Sequence, residues 1–158
     1  MSRKKPRSGG RPNRHTAERG SCRVVPEGEL LEVLAGCASP FVLVLDGVQD
    51  PHNLGAILRS ADGAGVDLVI VPRDRAVGIT EVVRRISVGA ADNVRFMRVT
   101  NLARTMDDLK TAGVWLVGTS DRGGQNLYEV DLKGPLGIVM GAEGPGLRRL
   151  TEEKCDFL

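Results

Sequence analysis

Aromatic residues are scarce in this chain, with one Trp, one Tyr and three Phe among 158 residues. That scarcity argues against a β-sandwich built on aromatic anchors. Plentiful Val, Leu, Ile and Ala, with 20 Gly, suit a parallel sheet of aliphatic strands covered by helices. Cysteine is equally sparse: Cys22, Cys37 and Cys155 have neither paired metal-ligand spacing nor the density of a disulfide scaffold, so free thiols in a reducing compartment are expected. No apolar run approaches the roughly 20 residues that cross a bilayer, and the basic start leads into polar residues, not into the apolar stretch of a signal peptide. The expectation is a cytoplasmic protein with no membrane contact and no metal site.

Acidic residues are nearly missing from the first 20 positions, which hold seven Lys and Arg against Glu18 alone. The rest of the chain carries 15 basic and 19 acidic residues, so a tail of +6 precedes a body of −4. Residues 1–21 also lack the aliphatic side chains that could offset the entropy of ordering them, and they are expected to be disordered. Two roles fit such a segment: an arm for RNA phosphates, or a solubilising leader or linker.

The remaining length suffices for one domain with a core. A short helix is predicted over residues 29–34. A continuous apolar run of strand length follows at residues 41–45, and further runs of strand length stand at residues 68–71, 94–99, 114–117 and 136–140, the one at 94–99 carrying Arg95 and Arg98. Helices are predicted over residues 54–64, 80–87, 102–112 and 146–154. Strand and helix alternate throughout, which predicts an α/β fold with a mostly parallel sheet flanked by helices. In such sheets ligands bind outside the carboxyl ends of the strands, so the loops at residues 46–53, 118–125 and 141–146 are the candidates for chemistry.

The first of these loops reads D-G-V-Q-D-P-H-N and runs into L-G-A-I-L-R-S. Asn53 is placed to cap the helix that follows. Arg59 lies six residues on, about 240° around the helix from Asn53, so it either reaches back to the crevice, packs toward the sheet, or is simply solvated. His52 reads as a structural loop residue. The last loop, M-G-A-E-G-P-G, holds three glycines in six positions, which suits close backbone approach to a ligand or a tight turn. Glu143 at its centre stands at an expected helix entrance, where backbone N–H groups commonly satisfy a carboxylate. Neither a dinucleotide fingerprint nor a P-loop is present, which weighs against an ordinary doubly wound nucleotide-binding enzyme.

Together, D-P-H-N-L-G-A-I-L-R-S and V-M-G-A-E-G-P-G-L resemble the first two motifs of the SpoU, or TrmH-like, RNA 2′-O-methyltransferases. V-I-V-P-R-D-R-A, V-T-N-L-A-R-T-M and V-M-G-A-E-G-P-G-L-R-R-L-T are similar to the branch acting on guanosine in 23S rRNA. The likeness runs from about residue 29 to 158, the expected partial catalytic domain. It implies a SPOUT-type trefoil-knot domain, S-adenosylmethionine as methyl donor, RNA as substrate and a homodimer. It also implies a third motif, with a Pro-Met pair and a Ser-Leu-Asn run, that completes the knot; this motif does not occur before the chain ends at Leu158.

By the same resemblance Asn53, Arg59 and Glu143 are the catalytic positions, while Thr119 and Gly141 contact the cofactor. A ribose 2′-hydroxyl would attack the sulfonium methyl in line. That reaction needs positioning and stabilisation of developing alkoxide charge, not a metal. A guanidinium with a pKa above about 12 is a poor base, so Arg59 is assigned orientation and charge stabilisation. Asn53 would orient that arginine or the ribose, and Glu143 would hold Arg59 or close a contact with the partner chain. The alternative from another class is an incomplete, inactive fragment serving only in RNA binding or dimerisation.

Overall fold

The computed structural model describes residues 23–158; the expectation for residues 1–21 lies outside them. Six strands form one sheet: β1 (Val24–Val25), β2 (Phe41–Asp46), β3 (Leu68–Pro72), β4 (Arg95–Val99), β5 (Trp115–Gly118) and β6 (Leu136–Gly141). Their order is β1-β4-β3-β2-β6-β5, and every pairing is parallel. The expected α/β class is thus observed. The helices are α1 (Leu30–Ala35), α2 (Pro51–Ala64), α3 (Glu81–Ser87), α4 (Ala90–Asn93), α5 (Leu102–Thr111) and α6 (Arg149–Lys154).

Alternate residues of each central strand point to opposite faces, and both faces are covered, which is why β2 and β3 read as unbroken apolar runs. Val42, Val44, Leu68, Ile70, Met97 and Val99 pack on one side against Leu30 and Leu34 of α1 and against Leu102, Met106 and Leu109 of α5. On the other side Leu43, Leu45, Val69, Val71 and Phe96 meet Leu54, Leu58 and Ala61 of α2, Val83 of α3 and the alanines of α4. A leucine buried this completely contributes about 1.5–3 kcal/mol relative to exposure. Helix α2 approaches α3 closely because it has Gly55 there: a Cβ at that position would stand 2.6 Å from the Ile86 Cβ.

Three local expectations are corrected. Asn53 does not cap α2; Asp50 does, accepting from the His52 N–H at 2.8 Å, with Pro51 in the first helical position. A proline there has no N–H to lose and its fixed φ suits the first turn. Helix α6 starts at Arg149 and not at residue 146, because Gly146 closes a turn. Glu143 consequently sits at a loop tip instead of a helix entrance.

From β2 the chain moves outward through β3 to β4, then returns by way of the far edge, β5, to lay β6 beside β2. The order therefore reverses between β2 and β6, where a doubly wound sheet leaves a crevice at the strand ends. Asp46 and Gly141, the last residues of these two strands, are register partners.

Candidate active site at the β2 and β6 carboxyl ends

Two loops leave this switch point. The loop after β2 passes Gly47, whose φ of 98° is ordinary only for glycine, and enters α2 at Pro51. The loop after β6 folds back on itself: the Ala142 N–H donates to the Gly146 carbonyl at 3.1 Å, and the Gly146 N–H returns to the Ala142 carbonyl at 2.9 Å. Gly141 makes that closure possible, since a Cβ on it would lie 2.0 Å from the Gly146 carbonyl carbon. Residues 143–145 form the projecting tip.

Glu143 reaches from this tip to the first turn of α2, where Asn53 Nδ2 donates to its Oε2 at 3.4 Å. Both side chains are exposed and the bond is long, so the contact is weak and adjustable. The two motif residues, 90 positions apart, do converge. Arg59 stands two turns further along α2 on its exposed side, while Leu54, Leu58 and Ala61 take the sheet-facing side. Among the described residues Arg59 makes no ion pair or hydrogen bond, and the carboxylate of Glu143 meets Asn53 instead of the arginine.

Thr119 follows β5, and its N–H and hydroxyl both donate to the Val139 carbonyl, at 2.9 and 3.3 Å. This anchors the β5 loop beside the end of β6, so Thr119 and Gly141 border one shelf. Gly144, at the loop tip, has open backbone: φ is 86° and nothing lies within 4 Å of where a Cβ would stand. Gly141 differs, for its own vacant side is filled by Gly146.

One group was missed in the sequence. Asp46 is 1% exposed at the end of β2. It accepts hydrogen bonds from Arg148 Nε at 2.7 Å and from the Thr151 hydroxyl at 2.6 Å, and forms an ion pair with Arg148 Nη2 at 2.6 Å. The hydrogen bond to Asp46 holds the Arg148 guanidinium more firmly protonated than usual. A buried carboxylate must be satisfied in this way, and the result ties the start of α6 to the central strand. The available signal was an apolar strand run ending in an acid; its partner lies 102 residues away. His52 stays beside Asp50, 3.3 Å from it, and is exposed.

Among the described residues no three His, Cys, Asp or Glu side chains gather as metal ligands do, and no helix is long and apolar enough to cross a membrane.

The family model for the SpoU rRNA methylases matches residues 40–158. The chain is 56% identical over 138 residues to the 23S rRNA (guanosine-2′-O-)-methyltransferase RlmB of Shewanella oneidensis, covering 87% of this chain and 56% of that protein. It is 58% identical over 130 residues to RlmB of Bordetella pertussis, covering 82% and 52%. The chain thus spans about half the length of the curated relatives it matches. Among solved structures, the SpoU methyltransferase AviRb from Streptomyces viridochromogenes, in complex with the cofactor AdoMet, superposes with a TM-score of 0.71 at 27% identity, covering 77% of this chain and 48% of that one. The TrmH/SpoU tRNA modifying enzyme of A. aeolicus gives 0.67 at 27% identity, covering 82% and 66%.

Proposed function

Because the chain belongs to the SpoU rRNA methylase family, we propose that it serves transfer of a methyl group from S-adenosylmethionine to a ribose 2′-hydroxyl, that of a guanosine in 23S rRNA. The observation that carries this reading is the convergence of Asn53 and Glu143 at the switch point between β2 and β6, with Arg59 exposed and uncommitted on the same helix. The open Gly144 backbone and the anchored Thr119 loop fit one side of an adenosyl cofactor. When bound, that cofactor supplies an electrophilic methyl group on a sulfonium sulfur. Thr119 and the backbone from Gly141 to Gly144 would hold it.

The other residues act on the attacking ribose. Arg59 keeps its proton at neutral pH, so its contribution is to orient the hydroxyl and to stabilise negative charge as it develops on the oxygen. The proton leaves to water or to an RNA phosphate. Asn53 presents an amide to the ribose and is itself steadied by Glu143. Residues 29–158 form the catalytic portion in this reading, and residues 1–21 an arm whose removal flattens the salt dependence of RNA binding. The protein acts as a cytoplasmic homodimer, which sedimentation equilibrium tests.

The deciding experiment is Arg59→Ala, assayed by methyl transfer to a 23S rRNA fragment at saturating cofactor. The chain is used as it stands and also joined to the further length its relatives carry. Turnover falls about a hundredfold to a thousandfold, as for loss of one charge-stabilising donor, while cofactor affinity hardly moves. Arg59→Lys stays strongly impaired, because lysine keeps the charge but loses the planar fork. Near-parental turnover in Arg59→Ala makes Arg59 an ordinary helix residue. RNA binding without any methyl transfer in either form favours the non-catalytic alternative.

A further inference from the structure

A cleft of about 210 Å³ opens between the carboxyl ends of β3 and β4 and the starts of α5 and α6. Pro72, Asp74, Asn101, Arg148, Leu150 and Thr151 are among the residues that line it, and none of Asn53, Arg59, Thr119, Gly141 or Glu143 does. It lies on the α5 side of the sheet, whereas α2 covers the opposite side. This is a separate concavity.

Its chemistry is mixed. Arg148 is held by Asp46 through Nε and Nη2, which fixes the plane of the guanidinium and leaves Nη1 uncommitted among the described residues. The Asn101 side-chain oxygen, Oδ1, caps α5 by accepting from the Arg104 N–H at 3.0 Å, so the N–H groups of its Nδ2 remain available. Asp74 is exposed and accepts no hydrogen bond among the described residues. Leu150, 52% exposed, adds an apolar surface. The volume is below the roughly 300 Å³ at which pockets for drug-sized ligands begin, so the cleft holds one ring system and not a whole nucleoside cofactor. A bare phosphate would meet Arg148 but would also face the Asp74 carboxylate, a like charge. A flat cation, an edge acceptor, an amide donor and an apolar wall are instead the features with which proteins take up an unstacked RNA base. Arg73 and Arg75 flank Asp74 in sequence and are exposed, supplying positive charge for the adjoining backbone.

We propose that this cleft binds one unpaired base of the RNA, away from the reacting ribose, with the base face on the Arg148 guanidinium and its edge toward Asp74. Guanine fits best, since its adjacent N1–H and N2–H donors match the two oxygens of a carboxylate. The proposal rests on the RNA substrate proposed above.

The test is an amide chemical-shift titration of the 158-residue chain with the trinucleotides UGU, UAU and UCU, with a UU trinucleotide carrying an abasic centre, and separately with S-adenosylmethionine. UGU is expected to move the amides of Asp74, Asn101, Leu150 and Thr151, and to bind at least fivefold more tightly than UAU or UCU; the abasic trinucleotide leaves those amides in place. Asp74→Asn and Leu150→Asp each weaken UGU at least fivefold with the rest of the spectrum unchanged. Equal response to the abasic RNA, absence of base preference, indifference to both substitutions, or movement of these amides by S-adenosylmethionine overturns the subsite. RNA shifts confined to Asn53, Arg59 and Glu143 overturn it as well, yet leave the RNA substrate standing. If neither the trinucleotides nor a 23S rRNA hairpin shifts any amide, both readings fall.

Discussion

Asp46 and Glu143 are carboxylates at the ends of neighbouring strands, and the fold treats them in opposite ways. Asp46 is buried and takes short bonds from Arg148 and Thr151, with distances of 2.6 to 2.7 Å. Glu143 is exposed at a loop tip and makes one bond of 3.4 Å to Asn53. Burial explains the difference, since an unpaired charge inside the protein costs several kcal/mol whereas water satisfies an exposed one. The tight cluster fixes where α6 begins and so holds the far end of the β6 loop. The loose pair remains free to rearrange. In the reading proposed above, architecture falls to one carboxylate and chemistry to the other, both at the carboxyl ends of adjacent interior strands.

Asp46→Ala should break the tight side of this contrast and has the largest expected effect on stability. It leaves the Thr151 hydroxyl buried without its acceptor and strands the Arg148 guanidinium. Removing one member of a buried pair costs about 3–5 kcal/mol, and the lower end applies because Arg148 can rehydrate on its exposed side. For a chain of this size about 3 kcal/mol lowers the melting temperature by roughly 6–12 °C. Thermal and urea unfolding measure it; a shift under 2 °C makes the cluster ornamental.

Gly141→Ala attacks the loop between the two carboxylates. The added Cβ cannot stand 2.0 Å from the Gly146 carbonyl carbon, so the turn must open. Overpacking of this kind costs about 1–3 kcal/mol, and it should also separate Glu143 from Asn53. Urea unfolding gives the first quantity, and amide shifts of residues 53 and 143 report the second. An unchanged spectrum shows that the loop is not held by this closure.

Cys155 sharpens the contrast through pH. It ends α6 against Gly118, and burial pushes its thiol up to about 11, with Asp156 and Glu152 adding to the rise and Lys110 opposing it. A raised folded-state value means that the folded chain keeps a proton which the unfolded chain releases. Stability from this group is therefore complete below about pH 8.5, the ordinary thiol value, and declines as pH rises toward 11. Unfolding measured from pH 8 to 11 should fall more steeply in the parent than in Cys155→Ala. Parallel curves show that the thiol titrates alike in both states.

Much of this arrangement is legible in the sequence, for reasons that also set the limits. Strands β2 and β3 announce themselves because burial on both faces demands unbroken aliphatic runs, and β4, β5 and β6 keep enough of that pattern to be read despite Arg95 and Arg98 in β4 and the exposed Trp115 at the start of β5. Strand β1 does not, being two residues set between Arg23 and Pro26, and α4 is one turn after Gly89. Asn53 has a side chain suited to capping α2, but Asp50 takes that place, and Asp50-Pro51 carries the usual pattern of an acidic cap before a first-turn proline. Motif resemblance brought Asn53 and Glu143 to the same site, and their side chains do meet. The Asp46–Arg148 pair was not legible, because no periodicity links residues 102 apart; only the order of the strands brings them together.

The smallest expected effect on stability belongs to Glu143→Gln, which tests the loose side of the comparison. The substitution keeps the length and one carbonyl oxygen for the Asn53 amide while removing the charge. An exposed bond of 3.4 Å is worth little, so the unfolding free energy should change by less than about 0.5 kcal/mol. Glu143→Ala, which removes the acceptor altogether, should be equally mild. Methyl transfer should separate the two variants if Glu143 steadies Asn53 by accepting its N–H: the glutamine retains most turnover and the alanine loses more. If both variants lose turnover equally, charge and not the hydrogen bond is what matters. If instead either one destabilises the fold by more than about 1 kcal/mol, Glu143 belongs with Asp46 as a structural carboxylate, and the division of roles between them fails.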